Sequence, residues 1–250
     1  MGRQSGYIRA EGRNGKITSS GSKESYRLRR KGSIPADRIA NDDEFKRTRE
    51  NAAEFTRAGQ AGKLLRQCLH QLVKHASDIN MVARLTGVMM KVITADKISG
   101  RGFRNVTDGK VELLKGFDFN IHSRLTSTIR ASFSAAIYRS SGKAKVDFSV
   151  FAPATLITSP NGATHFQFNA VGAAIDFEKQ IFKIDSKSSR VISLLENLTT
   201  LQLVCQLPAN SSDPLFLVLG IEFFQEVNAI LYPLQNAAAN SLAIVQVSSA

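Results

Sequence analysis

Four histidines are the chain's first candidates for chemistry: His70, His75, His122 and His165. Two histidines that share a metal on a helix lie three or four residues apart, so that both rings leave one face. His70 and His75 are five apart and leave different faces. His122 closes an alternating run and His165 opens one, and neither has a Cys or carboxylate cluster at ligand spacing. No metal site is expected. Gly59, Gly62 and Lys63 have the residue types of a phosphate loop without its spacing. Leu64 stands where a Ser or Thr would reach magnesium, and no strand precedes it. Two small residues at a corner between helices account for them. Asp176 with Glu178, and Glu222 with Glu226, are the carboxylate pairs a strand could present together. Hydrolysis by such a pair also needs facing geometry, and a solvated strand face is the simpler reading. No Gly-x-Ser-x-Gly turn or other nucleophile pattern occurs. Cys68 and Cys205 fall on apolar stretches and read as small buried hydrophobes. The expectation is a protein that is not an enzyme, with no catalytic residue and no cofactor.

What remains is charge. The chain has 250 residues, with Lys+Arg 33 against Asp+Glu 21, a net charge of +12. The whole excess lies in residues 1–110, which hold 23 Lys and Arg against 11 Asp and Glu; residues 111–250 hold 10 of each. Such a basic half should meet something acidic: nucleic acid, an anionic surface, or a neighbouring copy. Tyr7, Ile8 and Ile17, with Arg27, Arg29 and Arg30, are the candidate assembly contacts. Lys46, Arg47, Arg49 and Arg57 share a helix, and Arg101 and Arg104 flank Phe103. These six are the candidate polyanion-binding residues, because guanidinium forks suit phosphate and a neighbouring ring can stack on a base. No helix-turn-helix, zinc-finger or RNP pattern accompanies them.

The elements that must carry these residues fall into three regions. Residues 1–34 form a basic hairpin arm. Tyr7, Ile8, Ala10 and Ile17 flank Asn14-Gly15, a tight-turn signal, and residues 26–30 offer a third strand. With so little apolar mass the arm cannot stand alone. Residues 35–110 form a basic helical region. One helix is expected over residues 43–58, broken by Gly59 and Gly62, and a second over 62–75. A third, capped by Ser77-Asp78, is expected over 79–95. The last two have clear apolar stripes (Leu64, Leu65, Cys68, Leu69, Leu72, Val73; Met81, Val82, Leu85, Val88, Met89, Val92, Ile93) and should pack as an antiparallel hairpin. From Phe117 the period changes to two. Short alternating runs separated by Gly, Pro, Asn and Ser turns predict a C-terminal antiparallel β-sandwich of seven or eight strands over residues 111–250. The fold class is α+β.

No apolar run reaches the roughly 18 residues of a membrane span. The N-terminal residues show no secretory signal, so the expected location is cytoplasmic. The stretches 41–66 and 215–227 (Leu-Phe-Leu-Val-Leu-Gly-Ile-Glu-Phe-Phe-Gln-Glu-Val) resemble a family of uncharacterised bacterial proteins. That resemblance implies no activity, cofactor or site residue. The leading expectation is a non-enzymatic structural subunit that self-assembles into a filament, tube or shell, its partner being itself. The alternative is a nucleic-acid-binding protein that uses the basic N-terminal half.

Overall fold

The computed structural model describes residues 34–234 and 239–249, with the backbone alone of strands β1 (Gly2–Arg3), β2 (Gly12–Asn14), β3 (Ile17–Ser22) and β4 (Ser25–Arg30). The chain divides into two compact units, Met1–Glu50 and Asn51–Ala250. In the first unit the strands pair antiparallel in the order β1-β4-β3-β2. Helix α1 (Ala36–Asn41) and a 3-10 turn (Asp43–Phe45) follow. Asp42 caps that turn by accepting the Glu44 N–H at 3.0 Å, and Arg38 donates to the same carboxylate at 3.0 Å. Tyr7 and Ile8, and the side chains of Ile17, Arg27, Arg29 and Arg30, lie outside the described residues.

Helix α2 runs unbroken over Lys46–Cys68, through both glycines expected to end it. The reason is phase. Glu54, Ala58, Ala61, Leu65 and Cys68 are all buried, at alternating steps of four and three, so one stripe continues past Gly59 and Gly62. A mid-helix glycine costs about 1 kcal/mol, which a continuous buried stripe outweighs. Gly62 also faces α4 (Met81–Thr94): a methyl group there would sit 3.6 Å from Leu85 Cδ2, in ordinary contact. Between them lies the short α3 (His70–His75). The α4 stripe is Met81, Leu85, Met89, Val92 and Ile93, whereas Val82 is exposed.

The remaining elements are α5 (Leu125–Thr128), β5 (Phe133–Tyr138), β6 (Lys143–Phe148), α6 (Pro153–Leu156), β7 (His165–Asp176), β8 (Ile181–Ser188), β9 (Ile192–Ser193), β10 (Leu201–Gln206), β11 (Leu215–Val227), β12 (Ile230–Pro233) and β13 (Ser241–Ser248). They build two antiparallel sheets. One has the order β10-β6-β5. The other has the order β12-β11-β7-β8, with β13 also on β11 and β9 also on β7. The α+β class follows directly. The spine of the larger sheet is the β7–β11 pair, in register from Leu215 opposite Ala174 to Phe224 opposite His165.

Both faces of that spine are buried. Val171, Ala173, Ile175, Phe216 and Val218 join the α2 and α4 stripes in one core. Phe166, Phe168, Leu217, Leu219 and Ile221 point the other way, into a second core with the small sheet. There Phe148 stacks on Phe168 with ring centroids 4.3 Å apart. Residues 117–122, which alternate as a strand would, make a single bridge to β13 between Asp118 and Ala243. Gly116 N–H and Phe119 N–H donate to the Ile244 and Leu242 carbonyls at 2.7 and 2.8 Å, so this segment covers the outer edge of β13. Residues 125–128 form the helical turn α5.

The β5–β6 turn depends on one glycine. Gly142 has φ +71°, and a Cβ there would lie 2.1 Å from the Leu207 carbonyl oxygen. Its own carbonyl accepts the Leu207 N–H at 2.8 Å. Gly142→Ala combines a left-handed backbone penalty with a clash against backbone. It should lower the unfolding free energy by about 2–4 kcal/mol, measured by urea denaturation.

Candidate functional site

Strand β8 pairs with β7 along one edge, from Asp176 opposite Ile181 to Asn169 opposite Ser188. A tight turn starts it. Asp176 accepts the Glu178 and Lys179 N–H groups at 3.0 and 2.9 Å and pairs with the Lys179 ammonium at 3.0 Å. The backbone N–H of Lys179, its ammonium and the N–H of Glu178 hold the Asp176 carboxyl below its ordinary range. Asp176 is therefore a turn cap, and its spacing from Glu178 serves the turn.

The other edge of β8 makes no backbone hydrogen bond among the described residues. Unpaired N–H and C=O groups in a row are a template for another strand. The side chains strengthen that reading. Ile181, Phe182 and Ile184 are 57%, 38% and 49% exposed. Register places Ile184 opposite Ala173, on the helix-facing side, and Asp185 opposite Gly172, on the small-sheet side. Asp185 accepts the Gln206 N–H from β10 at 2.7 Å and lies 3.3 Å from the Lys187 ammonium. That backbone N–H leads the groups that keep its carboxyl below the usual range.

A second exposed apolar element adjoins the opposite edge of the same sheet. β11 and β12 continue as a two-stranded hairpin from Phe224 opposite Pro233 to Val227 opposite Ile230. Asn228 and Ala229 turn it with φ 52° and 62°. Val227, Ile230, Leu231 and Tyr232 are all exposed.

On its helix-facing side β8 borders a groove of about 790 Å³. His70, Lys74 and His75 line one wall, and Asn169, Ile184, Ser186, Ser188 and Glu222 line the other. Cys68 also lines it, but burial pushes its thiol up to about 12, so it stays protonated at neutral pH. Asn169 Oδ1 is taken by the Ser188 hydroxyl at 2.6 Å. Across the sheet, Glu226 lies 3.6 Å from His165 Nε2. Among the described residues no three of His, Cys, Asp and Glu converge as a metal site requires, and no helix is long and apolar enough to cross a membrane.

The candidate polyanion-binding residues are mostly engaged inside the chain. Arg49 donates to the Ile39 and Asp42 carbonyls at 2.9 and 2.7 Å. Arg57 donates to the Gly102 and Arg104 carbonyls at 2.7 and 3.1 Å. Arg104 Nε lies 3.9 Å from the buried Glu54 carboxylate, which accepts the Gly102 N–H at 2.8 Å. Arg101 donates to Asn51 at 2.9 Å. The contacts of Arg57, Arg101, Arg104 and Glu54 clasp the loop of residues 99–105 onto α2. Lys46 and Arg47 are exposed. The exposed edge of β8 was missed from sequence. Its signal was Ile181, Phe182 and Ile184 crowding both faces of one strand.

The clasped loop is braced at its base by Asp96, which accepts the N–H groups of Ile98, Ser99 and Asn105 at 2.8, 3.0 and 3.2 Å. Burial alone would raise its carboxyl, but those donors outweigh burial and bring it down to about 2. A depressed folded value stabilises the fold above the unfolded value of 3.8, and the contribution is lost as pH falls towards 2. Asp96→Asn should therefore reduce stability at pH 7 and flatten its decline between those two pH values, as read by thermal unfolding across pH.

Comparison with family models, with curated proteins and with solved structures finds no match to this chain.

Proposed function

We propose that this protein is a non-catalytic structural subunit that self-associates by strand addition at the edge of β8. One observation carries the reading. Among the described residues, an eight-residue strand is paired on one side only and exposes Ile181, Phe182 and Ile184. The charges along it favour a second copy as the occupant. Antiparallel pairing of two β8 strands about Ile184 sets Ile184 against itself, Phe182 against Ser186, and Ile181 against Lys187. It also sets Lys183 against the second copy's Asp185, twice over. Centring on Lys183 or on Asp185 instead opposes like charges. Lysine on an edge strand ordinarily blocks pairing; here it admits one register.

A twofold contact of this kind closes on itself. A filament, tube or shell needs a second contact, and the exposed β11–β12 hairpin supplies a surface for it. The basic arm of residues 1–34, with Tyr7, Ile8, Ile17, Arg27, Arg29 and Arg30, belongs to the same reading as a further contact. The test is size-exclusion chromatography with light scattering on the full chain. The wild type should run as a dimer or larger. Lys183→Glu sets two carboxylates against each other, and Ile184→Lys sets two ammonium groups against each other. Each should raise the association constant's midpoint concentration by about tenfold or more. A wild type that stays monomeric at high concentration, or variants that assemble as it does, would refute the proposal.

A further inference from the structure

A depression of about 550 Å³ lies between α4 and residues 113–124. Its charge is lopsided. Arg84 and Lys91 line it from α4, seven residues apart and so on one face, and Lys115 and Arg124 line it from the other wall. Asp118 is the one carboxylate among the described lining residues, and its Oδ1 is occupied by the Leu125 N–H at 3.0 Å.

Arg84 is fixed in place. It donates to the Asp118 and Phe119 carbonyls at 2.8 and 3.2 Å, pairs with Asp78, and lies 5.2 Å from the centre of the Phe117 ring. Lys91, Lys115 and Arg124 are exposed around it. The surface between them is open backbone. A Cβ on Gly87 or on Gly116 would meet nothing within 4 Å. Leu113 and Ile121, both exposed, supply apolar surface in the same depression.

We infer that this depression binds the phosphate group of an organic phosphate ester. The phosphate sits among Lys91, Lys115, Arg124 and the anchored Arg84, and the apolar body lies against Leu113 and Ile121. A phosphate monoester carries nearly two negative charges at pH 7, which matches the charge of Lys91, Lys115 and Arg124 once Asp118 is set against it, Arg84 being already paired with Asp78. The volume is that of a small-ligand site. The ester has two sources, a soluble phosphorylated molecule or a phospholipid headgroup, and both present the same group to the same cations.

The test uses the full chain, with pyrophosphate by isothermal titration calorimetry and with phosphatidylcholine vesicles containing or lacking phosphatidic acid by flotation. Pyrophosphate should bind with a dissociation constant of about 1 mM or below. The double variant Lys91→Glu with Lys115→Glu, with circular dichroism and melting temperature unchanged, should bind about tenfold more weakly. Binding of pyrophosphate assigns the site to soluble esters, and binding of phosphatidic acid vesicles without pyrophosphate assigns it to headgroups. Failure of both probes overturns the inference. So does undiminished binding by the double variant, or an equal loss on Lys46→Glu with Arg47→Glu, which would mark a general charge effect.

Discussion

Two adjacent strands buried on both faces govern the larger unit. β7 and β11 pair over ten register positions, from Leu215 with Ala174 to Phe224 with His165. Helices pack on one side of them and the small sheet on the other. Burial at roughly 25 cal/mol per Å² of apolar surface then acts on most residues of the pair, where a one-sided sheet would gain from alternate residues only. The cost is steric. Where neighbours come close, side chains must vanish: a Cβ on Gly172 would stand 3.0 Å from the Cys205 Cβ, and one on Gly220 would stand 3.0 Å from Leu242 Cδ1. Gly172 lets the small sheet reach the spine, and Gly220 makes room for its cross-strand neighbour Leu242 within the sheet.

The same arrangement explains why the sheet ends where it does. Towards β13 the edge is covered by residues 116–119, whose backbone groups pair with Leu242 and Ile244. Towards β8 no described residue gives such cover. There Asp185 reaches inward to the Gln206 N–H of β10 and leaves the β8 backbone outward. A strand with isoleucine and phenylalanine on both faces is stable at a sheet edge when something pairs with it, and its own sequence offers a register for a second copy.

Period and turn chemistry made much of this fold legible. The apolar stripes of α2 and α4 and the strand content after Phe117 follow from local pattern. What was hidden is non-local. Gly59 and Gly62 suggest a break until Leu85 is known to pack beside Gly62. Residues 117–122 alternate as a strand but make one bridge, because only the outer edge of β13 is there to meet them. The arginines give the same lesson. Arg57 and Arg104 look like phosphate ligands by type and neighbourhood, yet their partners are backbone carbonyls and Glu54 nearly fifty residues away. Arg84, Lys91, Lys115 and Arg124 never stood out as a cluster, since forty residues separate the first from the last.

The proposed self-association rests on the edge of β8, and that edge has its own observable. Backbone amides of β8 that point outward exchange with solvent freely in a lone chain and slowly in a paired one. Hydrogen–deuterium exchange of the full chain, followed by mass spectrometry at low and at high protein concentration, reads them directly. Slowing across residues 181–188 with rising concentration, while β7 is unchanged, is the predicted result. Exchange there that does not depend on concentration would contradict it.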